Sequence, residues 1–87
     1  MKVANSSQQK IEVSMSTYGG GETKYYPFEK GHVGSWKRTD VRGYVMSVSV
    51  NGSTTPYYVK HEADIIIYDN RVTENGNTIR SANDNLV

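Results

Sequence analysis

Gly34–Lys60, GSWKRTDVRGYVMSVSVNGSTTPYYVK, is the stretch from which the fold is read. At its centre Asn51-Gly52 is the dipeptide that accepts positive φ at both central positions of a two-residue type I′ turn, and alternating runs flank it. A turn of that length sets the register: Val50 opposes Ser53, Val48 opposes Thr55, Met46 opposes Tyr57 and Tyr44 opposes Val59. Because side chains alternate between faces, Tyr44, Met46, Val48 and Val50 join Tyr57 and Val59 in one apolar layer while Ser47 and Ser49 point the other way. A slip of one residue would turn that layer into water. Pro56 falls opposite Ser47 at a non-hydrogen-bonded pair, where its missing N–H would point away from the partner, so its strand is expected at a sheet edge.

Outward from the hairpin the period stays at two. Val3-Ala4 begins a short strand that Asn5-Ser6-Ser7 turns. From Lys10 onward, Ile11, Val13 and Met15 alternate with Glu12, Ser14 and Ser16, the pattern of a half-buried strand. Gly19-Gly20-Gly21 breaks it, and an aromatic run from Thr23 to Phe28 returns as its hairpin partner before the polar, glycine-bounded segment Glu29 to Gly34. Ile65, Ile66 and Ile67 in succession suggest a central strand covered on both faces. Asn75-Gly76 closes another hairpin, with Val72 opposite Ile79 and Thr73 opposite Thr78. That register sets Arg71 against Arg80, so the ladder is expected to fray there, or to hold an acid such as Asp69 or Asp84 nearby. About seven or eight short strands without a helix make an all-β chain, a small antiparallel β-sandwich with a small β-barrel as the alternative, in a single domain over residues 1–87 whose last residues, 82–87, form a loose polar tail.

Composition narrows the function classes. At 87 residues the core is thin, and the 36% hydrophobic fraction leans on seven Tyr, one Trp and one Phe, many of whose rings carry a polar end. The absence of cysteine removes disulfides and thiolate metal sites and favours a cytoplasmic compartment; no signal peptide or membrane-spanning run is visible, and the expectation is a soluble chain. A net charge of +1 offers no global attraction to nucleic acid or anionic lipid.

The chemistry-bearing candidates are few. The triple glycine lacks the Gly-Lys-Ser/Thr and following helix of a phosphate loop. His61, Glu62 and Asp64 with His32 would make a metal site only if the fold joined positions 32 and 61; a solvated connecting turn is the reading preferred for them, and no metal is implied. No nucleophile elbow or cysteine nucleophile is present, so no enzyme and no cofactor is implied. Asn5-Ser6-Ser7 and Asn51-Gly52-Ser53 match the glycosylation pattern but read as turns.

Trp36-Lys37-Arg38-Thr39-Asp40-Val41-Arg42 concentrates three cations against one acid. With exposed tyrosines from the adjacent pairs Tyr25-Tyr26 and Tyr57-Tyr58, it reads as an aromatic and basic surface for a carbohydrate or lipid headgroup: Trp36, Arg38, Arg42, Tyr25 and Tyr58 are the candidate ligand-binding residues. The structural alternative puts Trp36 in the core and pairs Arg42 with Asp40 at a turn. The same aromatics would serve a single-stranded nucleic-acid-binding module on an OB-like barrel, or the interface of a homo-oligomer.

The order VANSSQQKIEVSMSTYGGGETKYYPFEKGHVGSW, Val3 to Trp36, resembles the opening strands of actinoporin-like and aegerolysin-like β-sandwiches. The resemblance covers about the first third of the chain, rests on common residue types and implies a sandwich; the proteins it resembles bind membrane lipid headgroups through aromatics. The chain is shorter than those proteins and shows no apolar N-terminal helix, so pore formation is not implied. A lectin-like, non-enzymatic binding module is the resulting expectation.

Overall fold

A computed structural model describes residues 1–17, 24–37 and 40–82. These form nine strands: β1 (Lys2–Asn5), β2 (Ile11–Thr17), β3 (Tyr26–Phe28), β4 (Val33–Ser35), β5 (Tyr44–Val50), β6 (Ser53–Val59), β7 (Asp64–Ile67), β8 (Val72–Glu74) and β9 (Asn77–Ile79). One sheet runs β4-β1-β7-β8-β9 and the other β3-β2-β5-β6. The two pack face to face as a sandwich; the sheets do not close into a barrel. The triple glycine, Arg38 and the tail 83–87, with Asp84, lie outside the described residues. Among the described residues no helix is long and apolar enough to cross a membrane.

The β5–β6 hairpin takes the register its turn dictates, Tyr44↔Val59 through Val50↔Ser53, with Asn51 and Gly52 at φ 52° and 81°. β6 is an edge strand, and the Pro56 carbonyl accepts the Ala82 N–H at 2.7 Å, on the side of the strand turned away from β5. Pro27 lies on β3, the opposite edge of the same sheet. The chain has two prolines, and each marks an edge of this sheet, where a missing donor costs no ladder bond and discourages pairing with another chain. The second hairpin pairs Val72 with Ile79 and stops there. The expected fraying occurs, and the Arg71 guanidinium rests over the Tyr68 ring at 4.6 Å.

β7 is the middle strand of its sheet, with Ile65 and Ile67 in the core and Ile66 half-buried on the outer face. All pairings are antiparallel but one: β1 lies parallel to β7, Val3 beside Ile65 and Asn5 beside Ile67. β4 is a strand where the sequence shows only a polar, glycine-bounded segment, and its pairing with β1 joins residues remote in the chain. The core is the meeting of Ile11, Val13, Met15, Phe28, Tyr44, Met46 and Val48 from one sheet with Val3, Ile65, Ile67 and Val72 from the other. Each such side chain contributes roughly 1.5–3 kcal/mol on burial, so few can be lost from so thin a core.

The ends of the sandwich differ. One end gathers residues 5–10, 29–32 and 68–71 with the Asn51-Gly52 turn, and it is cross-tied. Asn5, 1% exposed, donates from Nδ2 to the carbonyls of Gln9, Phe28 and Glu29, and its Oδ1 accepts the Ser7 N–H and hydroxyl. Asn51 donates to Gln9, Lys30 to Gln8, and the Gln8 N–H to Asp69. An Asn5 side chain so engaged cannot carry a glycan in the folded chain. The other end gathers Met1, residues 36–37 and 40–43, residues 60–63 and the Asn75-Gly76 turn, and there the surface is hollowed. We call it the loop pole.

Candidate functional site

Among the described residues three depressions open at the loop pole, the first of them extending along the side of the sandwich to His32 at the cross-tied end. The first lies where edge strands β3 and β4 meet between the sheets, with a volume of about 480 Å³ lined by Tyr26, Phe28, His32, Trp36 and Lys37 among others. Its floor is Phe28, a buried ring seated directly over Gly34, where a Cβ would come within 2.5 Å of its Cζ. Trp36 is half-buried, packed against the core and parallel to Phe28 (2° between planes, centroids 5.8 Å apart). Tyr26 meets Trp36 edge-on at 5.9 Å, and His32 meets Phe28 edge-on at 4.7 Å. The Trp36 main chain is fixed from both sides, its N–H donating to the Met1 carbonyl and its carbonyl accepting from the Met1 ammonium. Lys24 places its ammonium 5.3 Å from the Tyr26 ring centre.

The second depression, about 560 Å³, is lined by Val41, Arg42, Tyr58, Lys60, His61, Glu62, Glu74 and Asn75, with others. Here Val41 is 81% exposed and Tyr58 58% exposed, unusual values for an apolar and an aromatic side chain on one rim. Arg42 forks onto Asp40, Nε to Oδ1 at 3.1 Å and Nη2 to Oδ2 at 2.8 Å, and its backbone N–H donates to Oδ1 at 3.0 Å. The Asp40 N–H donates to the hydroxyl of core residue Tyr44, and Gly43 turns the chain at φ 97°, so this loop is anchored rather than loose. The guanidinium, helped by that backbone N–H, holds the Asp40 carboxyl down at about 2, and the Arg42 pKa is raised in return. The opposite wall is fixed by the Lys60 N–H donating to Glu74 and the Asp64 N–H donating to Asn75. His61 lies 3.4 Å from Glu62.

A third depression, about 450 Å³, lies between them and includes Met1, Lys2, Ser35, Trp36, Lys37, Glu62 and Asp64. Among the described residues the pole carries charges of both signs, the Met1 ammonium, Lys2, Lys37, Arg42 and Lys60 with Asp40, Glu62, Asp64 and Glu74.

Of the sequence-derived site residues, Arg42 and Tyr58 share the second depression and Trp36 borders the first and third. Tyr25, 37% exposed, lies outside all three, and Arg38 lies outside the described residues. Both tyrosine pairs split as alternation requires: Tyr26 and Tyr57 pack on the core while Tyr25 and Tyr58 face outward. The structural alternative for the Trp36–Arg42 segment is also realised in part, with Arg42 bound to Asp40 and Trp36 half-buried. Sequence reasoning did not assign Val41, Asn75, Glu74 or Tyr26 to the site. The exposed Val41 has no periodic signal, and Asn75 and Glu74 arrive only through the β7–β8 pairing. Compared with protein-family models, with curated proteins and with solved structures, the chain finds no match.

Proposed function

We propose that this chain is a non-enzymatic recognition module that binds a carbohydrate at the loop pole, with Tyr58 and Arg42 at the centre of the contact. The observation that carries the reading is the exposed Tyr58 ring beside a guanidinium whose charge Asp40 already meets. A pyranose presents an apolar C–H face, which suits an aromatic platform, and hydroxyls that both donate and accept. The Arg42–Asp40 fork uses two of the five guanidinium N–H groups and leaves the others to donate, beside a carboxylate with about one acceptor site to spare, on Oδ2. Such a pair serves a hydroxyl well and a phosphate poorly, because the phosphate would face the Asp40 charge. The interspersed charges around the pole likewise favour a neutral glycan over an anionic headgroup or a nucleic acid.

The test is a glycan array read with the wild-type chain and Tyr58→Ala at low and high salt. Binding to a neutral glycan class is expected, unchanged by salt and weakened about tenfold or more by the substitution, equivalent to at least ~1.4 kcal/mol. Capture only by anionic vesicles or oligonucleotides, with affinity falling steeply as salt rises, would overturn the reading. So would a mass that grows with concentration until Val41 and Tyr58 are covered by a second copy.

A further inference from the structure

Resting on that reading, we infer that the ligand is a linear oligosaccharide that lies along the loop pole, not a single sugar held in one pocket. The depressions are contiguous. The first and third share Ser35, Trp36 and Lys37, and the third and second share Glu62. Together they form one trough from the Tyr26–Trp36 cluster to Tyr58, with aromatic surface at both ends.

Its middle is built differently from its ends. The main chain beneath is already paired: Lys2 stands in register with Ser35 on one side and Asp64 on the other, and the Lys2 N–H donates to the Ala63 carbonyl. A ligand crossing this floor therefore meets mainly side chains, and these carry both signs, Lys2 and Lys37 with Glu62 and Asp64, beside the Met1 ammonium. Aromatic platforms separated by a polar span of mixed charge match a neutral sugar chain, which repeats apolar ring faces and hydroxyl edges along its length. They do not match a polyanion, which would pass Glu62 and Asp64 in turn. Two modest platforms linked by one ligand raise affinity through effective concentration, so length is the variable that reports the trough.

The experiment is an amide-shift titration of the labelled chain with neutral gluco- and chito-oligosaccharides, from monosaccharide to hexasaccharide, with the single indole N–H followed alongside. Shifts are expected to begin at Arg42, Tyr58 and Glu62 with short ligands. They should extend to Asp64, Lys37 and the Trp36 indole with longer ones, affinity rising about tenfold or more and then levelling. Tyr58→Ala should weaken every length and Lys37→Ala only the long ones. Equal affinities at all lengths, with shifts confined to the Arg42–Tyr58 depression, would overturn the trough while leaving the glycan reading intact. No response to any of these sugars, or a salt-sensitive response to an anionic oligomer instead, would overturn both.

Discussion

Gly34→Ala adds a single methyl group and should nevertheless be among the more damaging small substitutions in this chain. The reason is space, not backbone conformation. A Cβ at residue 34 would stand 2.5 Å from Phe28 Cζ, 3.1 Å from Cε2 and 3.4 Å from Cε1. Carbon pairs rest at about 3.5–4.0 Å, so the ring would have to retreat by about 1 Å. Phe28 is 2% exposed, parallel to Trp36 on one side and met edge-on by His32, and neither neighbour yields without moving itself. Overpacking of this kind costs about 1–3 kcal/mol, which in a domain of this size lowers Tm by roughly 5–20 °C. The chain has one tryptophan and it touches the strained ring, so urea unfolding followed by Trp36 fluorescence reports the displacement and the stability together. Phe28→Leu removes the clashing atom, and the double variant should lose about 1 kcal/mol less than the two single losses combined. A Gly34→Ala chain with wild-type Tm and emission, or strict additivity with Phe28→Leu, would refute the packing described for the first depression.

Gly52→Ala makes the opposite case: nothing lies within 4 Å of its Cβ, so its cost is that of a left-handed backbone alone, about 1–2 kcal/mol by thermal melt and insensitive to any change at Phe28. Asn5→Ala strips a donor from three carbonyls and an acceptor from Ser7; a loss of about 2–4 kcal/mol is expected by denaturant titration, and Asn5→Asp should not recover it, since a carboxylate would face those carbonyl oxygens. Asp40 is depressed from 3.8 to about 2, so any contribution of its pair with Arg42 is complete above about pH 4 and disappears as the pH falls through about 2. Carboxyl-carbon NMR should place the Asp40 midpoint there, and Arg42→Ala should raise it; an unchanged midpoint would contradict the fork.

What could be read from the sequence was local. Asn51-Gly52 and Asn75-Gly76 set two registers unaided, because a two-residue turn leaves one pairing that keeps the apolar row together. The three isoleucines marked the middle strand, and Tyr57-Tyr58 placed an exposed ring on β6. The Arg42–Asp40 pair, two residues apart, was also visible as an alternative. The parallel pairing of β1 with β7 was not, since it joins residues far apart in the chain, such as Val3 and Ile65, and leaves no trace in local periodicity. β4 was hidden for a related reason: three residues with exposed flanks become a strand only because β1 is there to pair. That non-local sheet carries Met1, Lys2, Asp64 and Asn75 to the pole where Trp36 and Arg42 stand, so the site as a surface was beyond sequence reasoning even where individual members were named. Asn5 has the short polar side chain of a turn residue, and nothing in that residue type signals that it also binds two carbonyls near the end of β3.

If recognition belongs to the loop pole and its ligand is a neutral glycan, the two ends of the sandwich should respond differently to sugar. Protection from hydrogen exchange, measured with and without a saturating pool of neutral oligosaccharides, tests it most directly by comparing the two ends of one molecule. Slower exchange is predicted at residues 41–43, 58–62 and 75, with no change at residues 7–10, 51–52 and 69–71. Protection at the cross-tied end instead, or uniform protection of both ends, would contradict it.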